Sequence, residues 1–255
     1  MNKPLFSIVT VCYNAADLLE GTIKSVAAQQ CKNFEYIIID GGSKDHTTNV
    51  LDEYAHVINI VISEGDNGIY DAMNKGLKIA SGEFIWFLNA GDQIYEPDTL
   101  SILEELADAE VDVLYGEVMI VDEQRKELGI RSELTVHQLP LQLKRADMKR
   151  GMIVCHQGFI PRTILASTFI ENNLSADIDW VIRILEKKPT VLNTGMILAE
   201  YLAGGISKQK WYRSLADRWN ILRTHFGLLS ALTNHIFILG RAIIHRISRG
   251  RKPSY

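Results

Sequence analysis

Glu64 to Asp92, EGDNGIYDAMNKGLKIASGEFIWFLNAGD, holds the densest set of chemistry-capable residues in the chain. Asp, Asn, Lys and Tyr crowd in and beside two loops, Glu64 to Gly68 and Asn89 to Asp92, beyond what solubility requires. Asp92 could hold a divalent cation, because hard cations need few protein carboxylates when a substrate diphosphate supplies the other oxygens. It could equally be a plain turn residue. Asp40 could bind a ribose or a base edge, or cap the turn that follows it. Asp177 and Asp179 could include a general base, yet acids in a first helical turn are also favoured by the helix dipole. Cys155-His156 invites a thiolate–imidazole reading. Read as neighbours on a strand, the two would point to opposite faces and make a poor dyad. Gly41-Gly42-Ser43 and Gly204-Gly205 lack the spacings of the phosphate-cradling loops.

These residues need elements to position them. Phe6 to Val11 and Phe34 to Ile39 read as buried strands, and Leu18 to about Gln30 as the amphipathic helix between them. A helix with Val50, Leu51 and Tyr54 leads to a strand over Ile58 to Ile62. Ile69, Met73, Leu77 and Ala80 mark another helix, with Ser81-Gly82 as its stop. Phe84 to Leu88 is a short buried strand. Such alternation predicts parallel pairing with right-handed crossovers. The carboxyl-end loops then bring Tyr13, Asp40, Glu64/Asp66 and Asn89/Asp92 to one rim, where open α/β sheets bind ligands. Beyond it come a helix over Leu100 to Leu106 and one or two strands over Val111 to Val121. Glu123 to Ala146 is polar and aperiodic and reads as an excursion from the core. Ile153 to Ile160 reads as a strand with a polar centre. Asn172 to Arg183 is helical with Ser175 at its N-cap. A last strand spans Val191 to Tyr201, and one helix runs from Trp211 to about Ser248. Leu229, Leu232, Ile236, Leu239 and Ile243 line a face of that helix. Arg241, His245, Arg246, Arg249, Arg251 and Lys252 gather at its end.

Composition bounds the function. The 255 residues are 47% hydrophobic and 23% charged, which argues for a folded chain. The net charge of −4 hides an asymmetry, since residues from Ile206 onward carry ten Lys/Arg against the single acid Asp217. An acidic core with a basic tail argues against a nucleic-acid-binding core and suits the tail to an anionic surface. Cys12, Cys31 and Cys155 are too few and too far apart for a disulfide framework or zinc site, which fits a reducing, cytoplasmic setting. The start, MNKPLFSIVTV, has no signal-peptide character, and no apolar window is long enough to span a membrane.

SIVTVCYN, EYIIIDGGSKDHT, SEGDNGIYDAMNKGLKIASGEFIWFLNAGD, CHQG, SADIDWVIR and GGIS, in this order from residue 7 to residue 207, together resemble glycosyltransferase family 2. Within that family they are most similar to bacterial enzymes that build colanic acid, O-antigen and capsular repeat units. The resemblance implies a GT-A fold, a Rossmann-like mixed, mainly parallel α/β sheet flanked by helices. It assigns residues 1–207 to the transferase domain and 208–255 to a basic amphipathic helical extension. It also implies a nucleotide-sugar donor, inversion at the anomeric carbon, and a divalent cation (manganese or magnesium) bridging the diphosphate. By position, Val11, Tyr13 and Asp40 would contact base and ribose, with Asp66 and Lys75 near the nucleotide and phosphates. Asn89-Ala90-Gly91-Asp92 stands where the family carries its Asp-x-Asp-Asp motif and keeps only the last carboxylate. Asp92 becomes the metal ligand and Asp177 the base, with Asp179 ranked second. His156-Gln157 and Gly204 to Ser207 would line the acceptor side. The basic tail suits the cytoplasmic membrane face, where polyprenyl-diphosphate-linked acceptors reside; packing of Leu229 to Ile243 on protein is the alternative. Rival readings are a sugar-nucleotide nucleotidyltransferase, whose glycine-rich signature is absent after the first strand, and a non-catalytic sugar-nucleotide-binding scaffold.

Overall fold

The computed structural model describes residues 3–135, 137–204 and 210–248. Its first sheet is wholly parallel, in the order β3-β2-β1-β4. The strands are β1 (Phe6–Cys12), β2 (Phe34–Asp40), β3 (Ile60–Ser63) and β4 (Phe84–Phe87). β1, β2 and β4 read as near-continuous apolar runs because both of their faces are covered. Val9, Val11, Ile37, Ile39, Ile85 and Phe87 point into one core, under Ala72 and Met73 of α3 (Ile69–Ile79). Phe6, Ile8, Tyr36, Ile38, Phe84 and Trp86 point into the other. There they meet Leu19, Ile23 and Val26 of α1 (Ala16–Ala27), Leu51 of α2 (Thr47–Glu53) and Leu100 and Leu103 of α4 (Thr99–Leu106).

A second, mixed sheet continues the first. It runs β5 (Gln93–Ile94), β9 (Val191–Leu202), β6 (Val113–Val121), β7 (Glu127–Ile130), with β8 (Phe159–Pro161) also on β6. β6 and β9 are parallel and the other pairs antiparallel. An isolated antiparallel bridge between Phe84 and Arg162 ties the two sheets together. The mixed α/β architecture expected from the sequence is therefore present.

Several local expectations change. Ser81-Gly82 does not cap α3, which ends at Ala80 in extended conformation. Gly82 is glycine because a Cβ there would lie 2.5 Å from the Ser7 amide nitrogen. Residues 153–160 are not one strand: His156–Gly158 form a 3-10 turn before β8. The stretch 123–146 is not structureless, since it supplies β7 and α5 (Arg131–Leu134) and buries Leu143. The long terminal helix is two helices, α7 (Trp211–Phe226) and α8 (Leu228–Ser248), separated by Gly227 at φ +82. α7 seats Ile221 and Leu222 in the same core as α6 (Ala176–Glu186). Gly205 to Ser207, Arg249, Arg251 and Lys252 lie outside the described residues.

Candidate functional site

The carboxyl ends of β1, β2, β3 and β4 form one rim, as the parallel order requires. Tyr13 leaves β1 59% exposed and faces Gly41, and Asp66 reaches over the same glycine from the loop after β3. A Cβ at Gly41 would lie 2.3 Å from Asp66 Oδ2 and 3.3 Å from the Tyr13 ring, so only the bare backbone lets the two side chains come together there. An exposed aromatic face beside a carboxylate suits a planar, hydrogen-bonding ring. Asp40 is fully buried beneath it. Its carboxylate accepts from the Ser43 amide (3.1 Å), the Ser43 hydroxyl and the Ser63 hydroxyl (2.6 Å). In this structure Asp40 braces the β2 loop, the cap role that its sequence context left open. Val11 has its side chain in the core, and its carbonyl accepts from the Ala90 amide. Lys75 reaches back from α3 to Glu64 (2.9 Å) and to the Gly65 carbonyl, holding the Glu64–Gly68 loop.

The loop after β4 turns on Gly91, whose φ of +103 is strained for any residue with a side chain. That turn carries Asp92 inward to 4% exposure. Gln157 Nε2 donates to its Oδ2 (2.8 Å) and the Leu202 amide to its Oδ1 (3.2 Å). Burial raises the Asp92 carboxyl above its ordinary value, against the lowering effect of the Gln157 bond. Asn89 Nδ2 lies 3.3 Å from His156 Nε2, within hydrogen-bond reach. Asn89 Oδ1 is buried with no hydrogen-bond partner. Asp92 keeps a lone pair on each oxygen, and three residues before it Asn89 offers an orphaned amide oxygen; both are ligand types that a hard divalent cation accepts. Among the described residues no group of three or more His, Cys, Asp or Glu gathers as a protein-only metal site, so such a cation would draw further oxygens from a ligand.

Asp177 lies in the first turn of α6. Its Oδ1 accepts from the Ile178 amide (2.9 Å), and its Oδ2 lies 3.7 Å from His156 Nδ1. The side chain is 22% exposed, covered yet reachable. Ser175 occupies the N-cap position but donates its hydroxyl to the Ser214 carbonyl of α7, so it makes no side-chain cap. Tyr70, at the start of α3, lies against Asp177. Burial, then the Asp177 charge, holds the Tyr70 phenol well above its usual range. An aromatic pile positions it, Tyr70 on Phe169 (5.5 Å between centroids) and Phe169 on Trp180 (4.8 Å). Tyr201 of β9 feels burial, Cys155 and both Asp92 and Asp177, and is likewise raised. Cys155 is no nucleophile: burial pushes its thiol up to about 11, and it donates to Gln157 Oε1.

Asp179 takes the other direction on α6. It is 4% exposed, bonded to Arg183 Nε (2.6 Å) and His225 Nε2 (2.7 Å). Burial opposes its ionisation, but those bonds hold the carboxyl below the usual range. Asp179 therefore clamps α7 to α6, and Arg183 serves that clamp together with Ser167 and the Thr168 carbonyl. The structure thus brings Asn89, Asp92, His156 and Asp177 into one chain of contacts, with Tyr13 and Asp66 further along the rim. Tyr70 and His225 were not singled out from sequence. Tyr70 sits within the quoted acidic block, where helical periodicity alone marks it as packing; His225 has no local signal.

Comparison with known proteins agrees. Residues 7–168 match the family described as Glycosyl transferase family 2. Over 218 residues the chain is 32% identical to a PGL/p-HBAD biosynthesis glycosyltransferase of Mycobacterium bovis, covering 81% of this chain and 80% of that protein. It is 28% identical over 228 residues to a putative teichuronic acid biosynthesis glycosyltransferase, TuaG, of Bacillus subtilis, covering 87% and 88% respectively. Among solved structures, S. aureus TarS 1–349 in complex with UDP-GlcNAc superposes with a TM-score of 0.68 at 20% identity. That match covers 86% of this chain and 64% of the TarS chain. Mannosyltransferase PcManGT from Pyrobaculum calidifontis, in complex with GDP-Man and Mn2+, gives 0.62 at 17% identity, covering 99% and 78%. At such identities the likeness to the solved structures concerns the fold.

Proposed function

The chain belongs to glycosyl transferase family 2, and from that footing we propose that it is an inverting enzyme. It transfers a sugar from a nucleotide-diphosphate sugar to a hydroxyl of a lipid-linked glycan acceptor, in the assembly of a surface polysaccharide or glycolipid. The observation that carries this reading is the placement of Asp177. One of its oxygens is tied to the helix terminus, and the other is turned across His156 toward the Asn89–Asp92 loop.

The nucleotide lies along the rim, its base against Tyr13 and Asp66 over Gly41. Asp92 and Asn89 Oδ1 would hold a manganese or magnesium ion, which when bound offsets charge on the leaving diphosphate. Asp177 Oδ2 accepts the proton of the acceptor hydroxyl as that oxygen attacks the anomeric carbon from the face opposite the diphosphate. His156 Nδ1, 3.7 Å away, and the buried Tyr70 side chain flank this carboxylate. Residues 1–207 form the donor-binding domain, and 208–255 complete its acceptor side and reach the membrane. Among the described residues no helix is long and apolar enough to cross a membrane. Leu228, Leu229, Leu232 and Ile236 are nonetheless exposed along α8, and the sequence after Asp217 contains seven Lys/Arg and no acid. An exposed apolar row next to a cationic end suits the anionic face of the cytoplasmic membrane.

The test is turnover. UDP-, GDP- and dTDP-sugars are incubated with the protein, manganese and a bacterial glycolipid extract, and product configuration is read from the anomeric proton coupling. Transfer from one donor with inversion is expected. A retained configuration, or donor binding without transfer or hydrolysis under any condition, would overturn the reading.

A further inference from the structure

Arg218 is a cation that the mechanism above leaves unused. α7 runs across the start of α6: the Asp217 carboxylate accepts from the Leu174 amide (2.9 Å) and the Ser214 carbonyl from the Ser175 hydroxyl (3.1 Å). Arg218 follows Asp217 and lies one turn after Ser214, so the same helical face sets it beside the turn that carries Asp177. Its Nε is buried with no hydrogen-bond partner, and its guanidinium makes no ion pair among the described residues. Neighbouring arginines have acceptors: Arg131 the Met152 and Ile153 carbonyls, Arg183 Asp179, and Arg145 Glu186. A buried Nε–H without an acceptor is costly unless a ligand supplies one. The Asp177 charge acts on Arg218, but no hydrogen bond joins the two among the described residues.

The surroundings say what kind of anion fits. Arg218 and His137 both come within 4.0 Å of the position a Cβ would take at Gly151. His137 also borders a cavity of about 460 Å³ between the 137–153 segment and α8, lined by apolar Leu139, Pro140, Ile153 and Phe237 and equally by polar residues, among them Asp147, Lys149 and Arg150. Arg150 stacks on the Phe237 ring (4.9 Å). Toward the rim, Asp177 is followed by His156 and then Asn89.

We propose that Arg218 is an oxyanion seat on the acceptor side of Asp177, binding a phosphate ester whose apolar alcohol lies in the neighbouring cavity. Guanidinium takes phosphate in bidentate fashion, which fixes distance as well as charge, so the seat would hold the acceptor hydroxyl at a set reach from Asp177. This rests on the transferase reading, and it adds that the acceptor must be anionic close to the hydroxyl that reacts.

The probe is phenyl phosphate, titrated calorimetrically into the full chain with and without saturating UDP and manganese; glucuronate is the carboxylate control. Wild type is expected to bind phenyl phosphate in both conditions and more tightly than glucuronate. Arg218→Gln should weaken this at least tenfold, Arg218→Lys should lose less, and UDP affinity should stay unchanged in both. Unfolding midpoints of the two variants separate a lost seat from a lost fold. Equal phenyl phosphate binding by a folded Arg218→Gln, no binding by wild type, or tighter binding of glucuronate would overturn the proposal. Failure of UDP itself to bind would count against the transferase reading instead.

Discussion

At the residue scale, the account divides two neighbouring acids on one helix. Asp177 keeps an oxygen facing the Asn89–Asp92 loop across His156, whereas both oxygens of Asp179 are held by Arg183 and His225. Asp177→Asn keeps the shape and removes the proton acceptor, so kcat is expected to fall by about 10²–10⁴. Donor affinity should stay within about twofold, a split that single-turnover kinetics and calorimetry read separately. Asn89→Ala removes the orphaned oxygen and the amide nitrogen near His156 Nε2 together. It is expected to raise the manganese concentration needed for half-maximal donor binding, while leaving the unfolding midpoint near wild type. Candidate acids could be chosen from sequence because carboxylates before apolar runs are visible there. The family resemblance put Asp177 before Asp179, but the clamp that occupies Asp179 was not legible, because His225 is 46 residues away and only tertiary packing brings it to Asp179.

At the element scale, the clamp between α6 and α7 carries a pH dependence. The Asp179 bond, together with Glu186, raises His225 above its ordinary 6.5. A raised imidazole stabilises the fold fully below about pH 6.5 and loses that contribution as pH climbs through its folded value. Asp179 is lowered, so its share is present above the ordinary carboxylate range and lost only in acid. The unfolding midpoint of wild type should therefore drop, relative to His225→Gln, between pH 6 and pH 8.5. A parallel pair of curves would show that the clamp contributes nothing. At the other end of the first sheet, Gly82→Ala drives a methyl against the Ser7 backbone. It is expected to cost about 1–3 kcal/mol, or roughly 3–10 °C in the unfolding midpoint measured by circular dichroism. The strands β1, β2 and β4 were legible because β-branched and aromatic residues dominate them, with only Ser7, Thr10 and Glu35 polar before the closing Asp40. The 3-10 turn at His156–Gly158 was not, since Ile153 and Val154 before it and Phe159 and Ile160 after it are all buried and give one apolar run.

At the scale of the whole molecule, the parallel sheet brings the acidic loops of its strands to one rim, and α6, packed in one core with α7, carries Asp177, the proposed base. Alternation of strands and helices made the first half readable from sequence. The second half depends on contacts between distant segments, such as the Phe84–Arg162 bridge and the seating of Ile221 and Leu222, which no local pattern announces. Membrane contact belongs to this scale too. Binding to vesicles containing anionic lipid is expected to weaken steeply with salt, each Lys/Arg at the surface contributing about 1 kcal/mol. Removal of residues 241–255 should abolish it in a sedimentation assay. The most direct test of the central claim, that one rim binds the donor while Asp177 performs the chemistry, is a calorimetric titration of UDP-, GDP- and dTDP-sugars with manganese, run beside a turnover assay, on wild type, Asp92→Ala and Asp177→Asn. The account expects one donor to bind wild type and Asp177→Asn alike, to lose its metal-dependent binding in Asp92→Ala, and to turn over only with wild type. Turnover by Asp177→Asn at the wild-type rate, or undiminished donor binding by Asp92→Ala, would contradict it.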